Sequence, residues 1–157
     1  MTTVTLTPFH REELITLWLG DVRDVLSRIA TESVHCVITS PPYWSKRDYH
    51  VDGQIGMEPT VEAYVAKMVA VFGAVRRVLR DDGVCFVNLG DSYAGSGWSD
   101  RNGAIGQATV DSPAVPVGGL KPLDLCLVPE RVALAMQADG WRLRSVIIWA
   151  KPSPMPE

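Results

Sequence analysis

The sequence predicts an α/β fold with a mostly parallel sheet and helices on its faces. Two observations support this fold class. Short apolar runs of strand length alternate along the chain with segments whose apolar residues recur every three or four positions, as in amphipathic helices. The strand-like runs are also almost continuously apolar, which is typical of strands buried on both faces of a parallel sheet. With 157 residues, 46% of them hydrophobic, the chain is long enough for one domain with a core.

The first elements are predicted to be a strand, an acidic corner and a helix. Residues 15–19 form a short β-prone run that stops at Gly20-Asp21. Asp21 is suited to cap a helix, which the spacing of the apolar residues predicts over Val22–Ile29. We assign residues 1–14 to an N-terminal extension and residues 15–157 to the domain itself.

The middle of the chain predicts a strand, a long helix and another strand. Val34–Thr39 is a continuous apolar run that stops at Ser40-Pro41-Pro42. Apolar residues then recur at helical spacing over Thr60–Arg80, and Asp81-Asp82-Gly83 is predicted to close that helix. Val84–Leu89 again has the length and composition of a buried strand.

The last third of the chain begins with a loop rich in Gly, Ser and Pro that runs for about thirty residues to Pro122, a length typical of functional or disordered segments. Leu127–Asp139 is predicted to be a helix, because Pro129 suits its first turn and Gly140 suits its C-terminal stop. Trp141–Ala150 is predicted to be a strand.

Composition excludes several classes of protein. A net charge of -3 and a pI near 5.6 argue against a free-standing basic module that binds nucleic acid mainly by neutralising phosphates. Cys36, Cys85 and Cys126 lack metal-ligand spacing, and their apolar neighbours predict that they are buried. No metal site is expected. The sequence shows neither a signal peptide nor an apolar run long enough for a membrane span, so we expect a cytoplasmic protein.

The segment Ser40-Pro41-Pro42-Tyr43 is the strongest candidate site, because ligands of open α/β sheets bind beyond the carboxyl ends of the strands. Two prolines fix two φ angles and remove two N–H donors, which leaves a rigid loop of hydrogen-bond acceptors. Such a loop suits an exocyclic amino group, whose N–H bonds the Ser40 side chain and the Pro41 carbonyl would accept. Tyr43 and Trp44 offer aromatic faces for a flipped base. An ordinary tight exit from a strand is the alternative for these few residues.

Thr39-Ser40-Pro41-Pro42-Tyr43-Trp44 after an apolar strand resembles the catalytic motif of the DNA amino-methyltransferases, which is written as Asp, Asn or Ser followed by Pro-Pro and an aromatic residue. Further segments resemble the N-terminal half of that family in the same order. They are Gly20-Asp21, Gly83–Leu89, Gly90-Asp91-Ser92-Tyr93, Lys121–Leu125 and Asp139-Gly140-Trp141 followed by Trp149–Glu157.

The resemblance implies a Rossmann-like fold and direct methyl transfer from S-adenosyl-L-methionine to a flipped base in double-stranded DNA. Ser40 and Pro41 would hold the amino group, Pro42 would shape the loop, and Tyr43 would stack on the base. Asp21 would help to place the cofactor, and Thr39 and Ser40 would also contact the cofactor. A simple helix cap is an equally good interpretation of Asp21. Arg47 could approach a phosphate, although a solvated loop charge is the more ordinary role.

The chain departs from the family in one respect. The Phe-x-Gly-x-Gly strand and turn, which this subclass places after the Pro-Pro loop, does not occur, and the glycine clusters at 95–97 and 103–106 lack a preceding strand. We therefore expect the catalytic-loop half of a methyltransferase without its C-terminal cofactor and target-recognition segments. A complementary C-terminal half is the expected partner if the enzyme is split, and an inactive remnant is the alternative.

Serine at the first motif position favours cytosine N4 as the target in this family, and adenine N6 is the alternative. Enzymes that methylate RNA or a protein glutamine amide use a related Pro-Pro-Tyr loop, in which the residue before the two prolines is usually asparagine. Ser40 and the segment from Trp149 to Pro156 argue against that third substrate class.

Overall fold

The computed structural model describes residues 7–94, 119–121, 123–150 and 152. Within them the chain alternates between strands and helices, so the predicted α/β class is confirmed. The elements are β1 (His10–Arg11), β2 (Thr16–Leu17), α1 (Val22–Arg28), β3 (Val34–Thr39), α2 (Val61–Val78), β4 (Leu79–Val87) and α3 (Val128–Ala138). None of the helices in this part of the chain is both long and apolar enough to cross a membrane.

The parallel pair β3 and β4 carries the candidate loop. Val37 pairs with Cys85 and Thr39 with Val87, so both strands end at the same edge. The prediction that Asp81-Asp82-Gly83 ends the helix is wrong, because α2 stops at Val78 and these residues lie within β4. They form an irregularity, since the partner of β3 jumps from Leu79 to Val84.

The strand predicted over residues 15–19 is shorter than expected. Only Thr16–Leu17 forms β2, and it pairs antiparallel with β1 at His10–Arg11. This hairpin is separate from the β3 and β4 pair. Its two strands lie on either side of residue 14, where the predicted N-terminal extension ends.

The core lies between α2 and one face of the parallel pair, and α1 and α3 pack against α2. Thr60 begins α2 by accepting a hydrogen bond from the N–H of Ala63 at 3.1 Å. The apolar stripe of α2 is buried as its spacing predicted; its buried residues are Val61, Tyr64, Met68, Phe72, Val75 and Val78. The helix therefore forms a rigid support behind the loop that leaves β3.

The other face of the parallel pair is exposed, which corrects the prediction of burial on both faces. Ile38 is 81% exposed and Phe86 is 50% exposed. Cys36 on the same face is also exposed, whereas Cys85 is partly buried and Cys126 is buried. The described residues contain no layer that covers this face, and continuous apolar sequence cannot show which layers are present.

The predicted strand at Trp141–Ala150 is absent from the structure, although α3 before it ends as predicted. The segment has no regular structure, and Ile148 and Trp149 are 82% and 76% exposed. A strand exists only when a neighbour completes its hydrogen-bond ladder, and no described strand lies beside these residues. β propensity alone therefore did not decide the conformation.

Candidate active site

Two loops meet at the carboxyl edge of the parallel pair. One is the proline loop, which we define as residues 40–44 after β3; the other follows β4. The Asn88 N–H donates to the Thr39 carbonyl at 2.9 Å and extends the ladder by one step. The sequence placed the proline loop at a strand end, and the structure confirms that position.

The upstream half of the proline loop presents free acceptors. Ser40 is exposed and Pro41 is partly buried, and no group in the described residues donates a hydrogen bond to either of their carbonyls. The Ser40 hydroxyl donates to the Tyr43 hydroxyl at 3.4 Å, which is near the limit of a hydrogen bond. This end of the loop therefore keeps acceptor capacity for a ligand that brings N–H donors.

Tyr43 lies against the loop that follows β4. A Cβ atom placed on Gly90 would come within 2.8 Å of the Tyr43 Cε2 atom and 2.9 Å of its Cδ2 atom. Only glycine leaves room for the ring at this position. The partly buried ring is thus held beside the Ser40 hydroxyl.

Trp44 occupies a different environment from the one the sequence suggested. It is 2% exposed, and its indole Nε1 donates to the Glu58 carbonyl at 3.0 Å. A buried ring has no face open to a base, so the stacking role proposed for Trp44 does not fit its position. Trp44 instead anchors the downstream end of the proline loop in the core.

Arg47 is exposed on the segment that follows the proline loop. Its carbonyl accepts a hydrogen bond from the Gln54 side-chain amide at 3.0 Å, and the Gln54 oxygen accepts from the Tyr49 N–H at 2.8 Å. The segment is therefore held by its own residues, with the Arg47 side chain at the surface.

Asp21 caps α1, as one of its two interpretations predicted. Its carboxylate accepts from the Arg23 N–H at 2.8 Å and from the Arg23 guanidinium at 2.7 and 2.5 Å. These hydrogen bonds lower the pKa of Asp21 to about 2. The carboxylate is thus largely engaged by its own helix.

We expect Asp21→Ala to lower the free energy of unfolding by about 1 kcal/mol, the usual value of an N-cap. Because the carboxylate is 40% exposed, solvent screens its ion pair with Arg23, and we assign the effect mainly to the cap. Urea unfolding at neutral pH measures the loss, and Asp21→Asn, which keeps a capping oxygen, should lose less. Since folding lowers the pKa, the contribution is complete above about pH 4 and disappears as the pH falls toward 2. Equal stability of the wild type and Asp21→Ala at neutral pH would contradict the assignment.

Asp91, in the loop after β4, is a residue to which the sequence analysis gave no role. One carboxylate oxygen accepts from the N–H groups of Ser92 at 2.8 Å and Val128 at 2.9 Å, and the other accepts from Leu127 at 3.0 Å. Leu127 precedes α3 in a left-handed conformation and has no side chain that could cap the helix. Asp91 supplies that cap from a distant segment, and its position in the loop that follows β4 was the available signal in the sequence.

No group of three or more His, Cys, Asp or Glu among the described residues could hold a metal ion. The fold and the loop define an α/β protein that presents rigid hydrogen-bond acceptors at the carboxyl edge of a parallel sheet, where ligands of such sheets bind. Comparison of the sequence with known protein families identifies the family to which the chain belongs. The chain belongs to the DNA methylase family of the N6/N4 type, whose family model matches residues 34–157.

Individual relatives agree with this assignment. The chain is 47% identical over 146 residues to the type II methyltransferase M.XycI of Xanthomonas campestris pv. cyanopsidis, an alignment covering 90% of this chain and 48% of the relative. It is 44% identical over 158 residues to M.Cfr9I of Citrobacter freundii, covering 94% and 52%, respectively. It is 46% identical over 142 residues to M.SmaI of Serratia marcescens, covering 88% and 48%.

The chain spans about half the length of these three relatives. No solved structure matches it significantly.

Proposed function

We propose that this chain carries the catalytic loop of a site-specific DNA methyltransferase that methylates the exocyclic amino group of a flipped base, with cytosine N4 as the favoured position. The observation that carries the proposal is the exposed Ser40 side chain next to a Pro41 carbonyl that has no donor among the described residues, both in a proline loop at the carboxyl edge of the sheet. The type II methyltransferases among the relatives support DNA as the substrate.

An exocyclic amino nitrogen is a poor nucleophile because its lone pair is conjugated with the ring. In our proposal the Pro41 carbonyl and the Ser40 side chain accept hydrogen bonds from its two N–H groups. These hydrogen bonds favour a tetrahedral nitrogen and direct its lone pair out of the ring plane. The two prolines hold these acceptors without reorganisation during the reaction. The nitrogen would form a bond to the methyl carbon while the bond from that carbon to the sulfonium sulfur of the donor breaks and a neutral thioether leaves. The methylated nitrogen would then release one proton to solvent.

Tyr43 is the proposed stacking surface for the flipped base. Its ring is only partly buried and lies beside Ser40, within reach of a base whose amino group is held by the loop. Trp44 is left out of this role because it is buried. Pro42 shapes the turn between the acceptors and the ring.

We propose S-adenosyl-L-methionine as the methyl donor, since it supplies an electrophilic methyl group on a sulfonium centre. Thr39 and Ser40 fit such a ligand by position, because Thr39 is the last residue of β3, at the edge of the sheet where cofactors bind, and the exposed Ser40 follows it. Asp21 fits less well, because Arg23 already occupies much of its carboxylate. Thr39 and Ser40 would therefore contribute most of what this chain offers to the cofactor.

Binding of double-stranded DNA needs positive charge that the chain as a whole, at -3, does not offer. Arg47 is exposed near the proline loop and is the proposed local contact to a phosphate. Because the relatives are about twice as long as this chain, we propose that a complementary methyltransferase half shares DNA and cofactor binding.

The test is a transfer assay with tritiated S-adenosyl-L-methionine on mixed-sequence double-stranded DNA. It uses the complete polypeptide encoded by the gene, alone and with any protein encoded directly downstream. We expect labelled DNA that yields N4-methylcytosine on nucleoside analysis, and a reduction of about 10- to 100-fold in Ser40→Ala, which loses one acceptor. N6-methyladenine would correct the target base alone. No transfer under either condition would refute the methyltransferase proposal and favour an inactive remnant.

A further inference from the structure

Two carbonyls in the downstream half of the proline loop are held by side chains from distant segments. The Tyr64 hydroxyl on α2 donates to the Pro42 carbonyl at 2.9 Å. The buried Ser92 hydroxyl after β4 donates to the Trp44 carbonyl at 3.1 Å. The loop is therefore divided into a free upstream end and a fixed downstream end.

The proline loop needs such outside support. Pro41 and Pro42 have no N–H groups, so the backbone at these positions cannot be anchored through its own donors. Only the carbonyl groups of this backbone can form hydrogen bonds that fix it in place. Since peptide units are planar and proline φ angles are fixed, holding the peptide after Pro42 also limits the direction of the Pro41 carbonyl one unit upstream.

Tyr64 is well placed to act as a fixed point. It is 0% exposed and lies in the first turn of α2, where Thr60 caps the helix, and it belongs to the same buried cluster as Met68 and Phe72. Burial raises the pKa of Tyr64 far above its usual value, so the phenol stays protonated and donates at physiological pH. In the described residues its hydroxyl has the Pro42 carbonyl as its partner.

We propose that Tyr64 is a positioning residue for methyl transfer, which orients the Pro41 carbonyl toward the amino group by holding the Pro42 carbonyl. This inference rests on the proposed function. Tyr64 does not contact the base or the cofactor in this scheme, and it acts only through the proline loop. Its loss should therefore lower the turnover number and leave substrate binding nearly unchanged.

The experiment compares Tyr64→Phe, which keeps the buried ring and removes only the hydroxyl, with Tyr49→Phe. Tyr49 is 50% exposed and reaches Gln54 through its backbone N–H, so it is a matched control. We expect kcat for methyl transfer to fall about 10- to 100-fold in Tyr64→Phe, because small misplacements of reacting groups slow a reaction by factors of this size. The KM values for DNA and for the cofactor should stay within about twofold of the wild type. Tyr49→Phe should match the wild type.

A second readout does not depend on activity. The Ser45 N–H donates to the Gly56 carbonyl at 2.7 Å directly after the proline loop, and its hydrogen exchange should become about tenfold faster in Tyr64→Phe, while amides in α2 stay unchanged. An active wild type with unchanged kcat in Tyr64→Phe would overturn this inference and leave the proposed function standing. Unchanged Ser45 exchange would overturn it as well, with or without activity. An inactive wild type would overturn the proposed function and this inference with it.

Discussion

Under the proposed function, Gly90→Ala is expected to reduce methyl transfer about 100-fold while the protein remains folded. The added Cβ would lie 2.8 Å from the Tyr43 ring, closer than side chains tolerate, so the ring must leave its place beside Ser40. The backbone at Gly90 is not in the left-handed region, so alanine itself causes no strain there. The loss should therefore arise from the displaced stacking surface, and it should appear in KM for DNA as well as in kcat.

Gly73→Ala provides the matched control for this substitution. Gly73 lies within α2, and a Cβ there would meet no atom within 4 Å outside the local helix backbone. Because alanine has the higher helix propensity, this variant should be as active as the wild type and more stable by about 0.5–1 kcal/mol. Steady-state kinetics and thermal unfolding of both variants make the comparison. Normal activity in Gly90→Ala would show that the position of Tyr43 does not matter for transfer.

Asp91→Ala is expected to lower the free energy of unfolding by about 1.5–3 kcal/mol, the range for hydrogen bonds to a charged group. The substitution removes the shared partner of three N–H groups, two of which begin α3. The substitution also removes the hydrogen bond that holds Leu127 in a left-handed conformation, at φ 54°, which a leucine side chain disfavours. Leu127 is then expected to leave this conformation, and the start of α3 loses its fixed geometry. We expect a lower urea midpoint and loss of the helical signal of α3, measured by circular dichroism.

Asp82→Ala is the control for the removal of a carboxylate. Asp82 pairs with Arg80 at 3.0 Å, but its side chain is 73% exposed, so its loss should change stability little. If Asp91→Ala unfolds at the same urea concentration as Asp82→Ala, the role of Asp91 as a cap for α3 is wrong.

Elements stabilised by local interactions were predictable from the sequence. Val34–Thr39 is the observed β3, and the helices at Val22, Val61 and Val128 begin within a residue or two of the predicted positions. Caps, helical spacing and the position of proline all act over a few residues, so the sequence displays them directly. For the same reason the Ser40-Pro41-Pro42-Tyr43 loop could be placed at the end of a strand.

Features that depend on a distant partner were not predictable. Trp44 looked like a surface for a base, yet the Glu58 carbonyl and the core take up its indole. Asp91 showed no link to α3, because the N–H groups it caps lie 36 and 37 residues further along the chain. Trp141–Ala150 has strand composition but no neighbouring strand among the described residues.

The sequence by itself determined the α/β class, the proline loop at the end of β3 and the resemblance that the DNA methylase family model confirms. Only the tertiary structure decided which carbonyls of that loop receive hydrogen bonds from the described residues, because Tyr64 and Ser92 reach the loop from distant segments. Local backbone preferences are set by neighbouring residues and are visible in sequence, whereas a hydrogen bond between distant segments depends on how the whole chain packs.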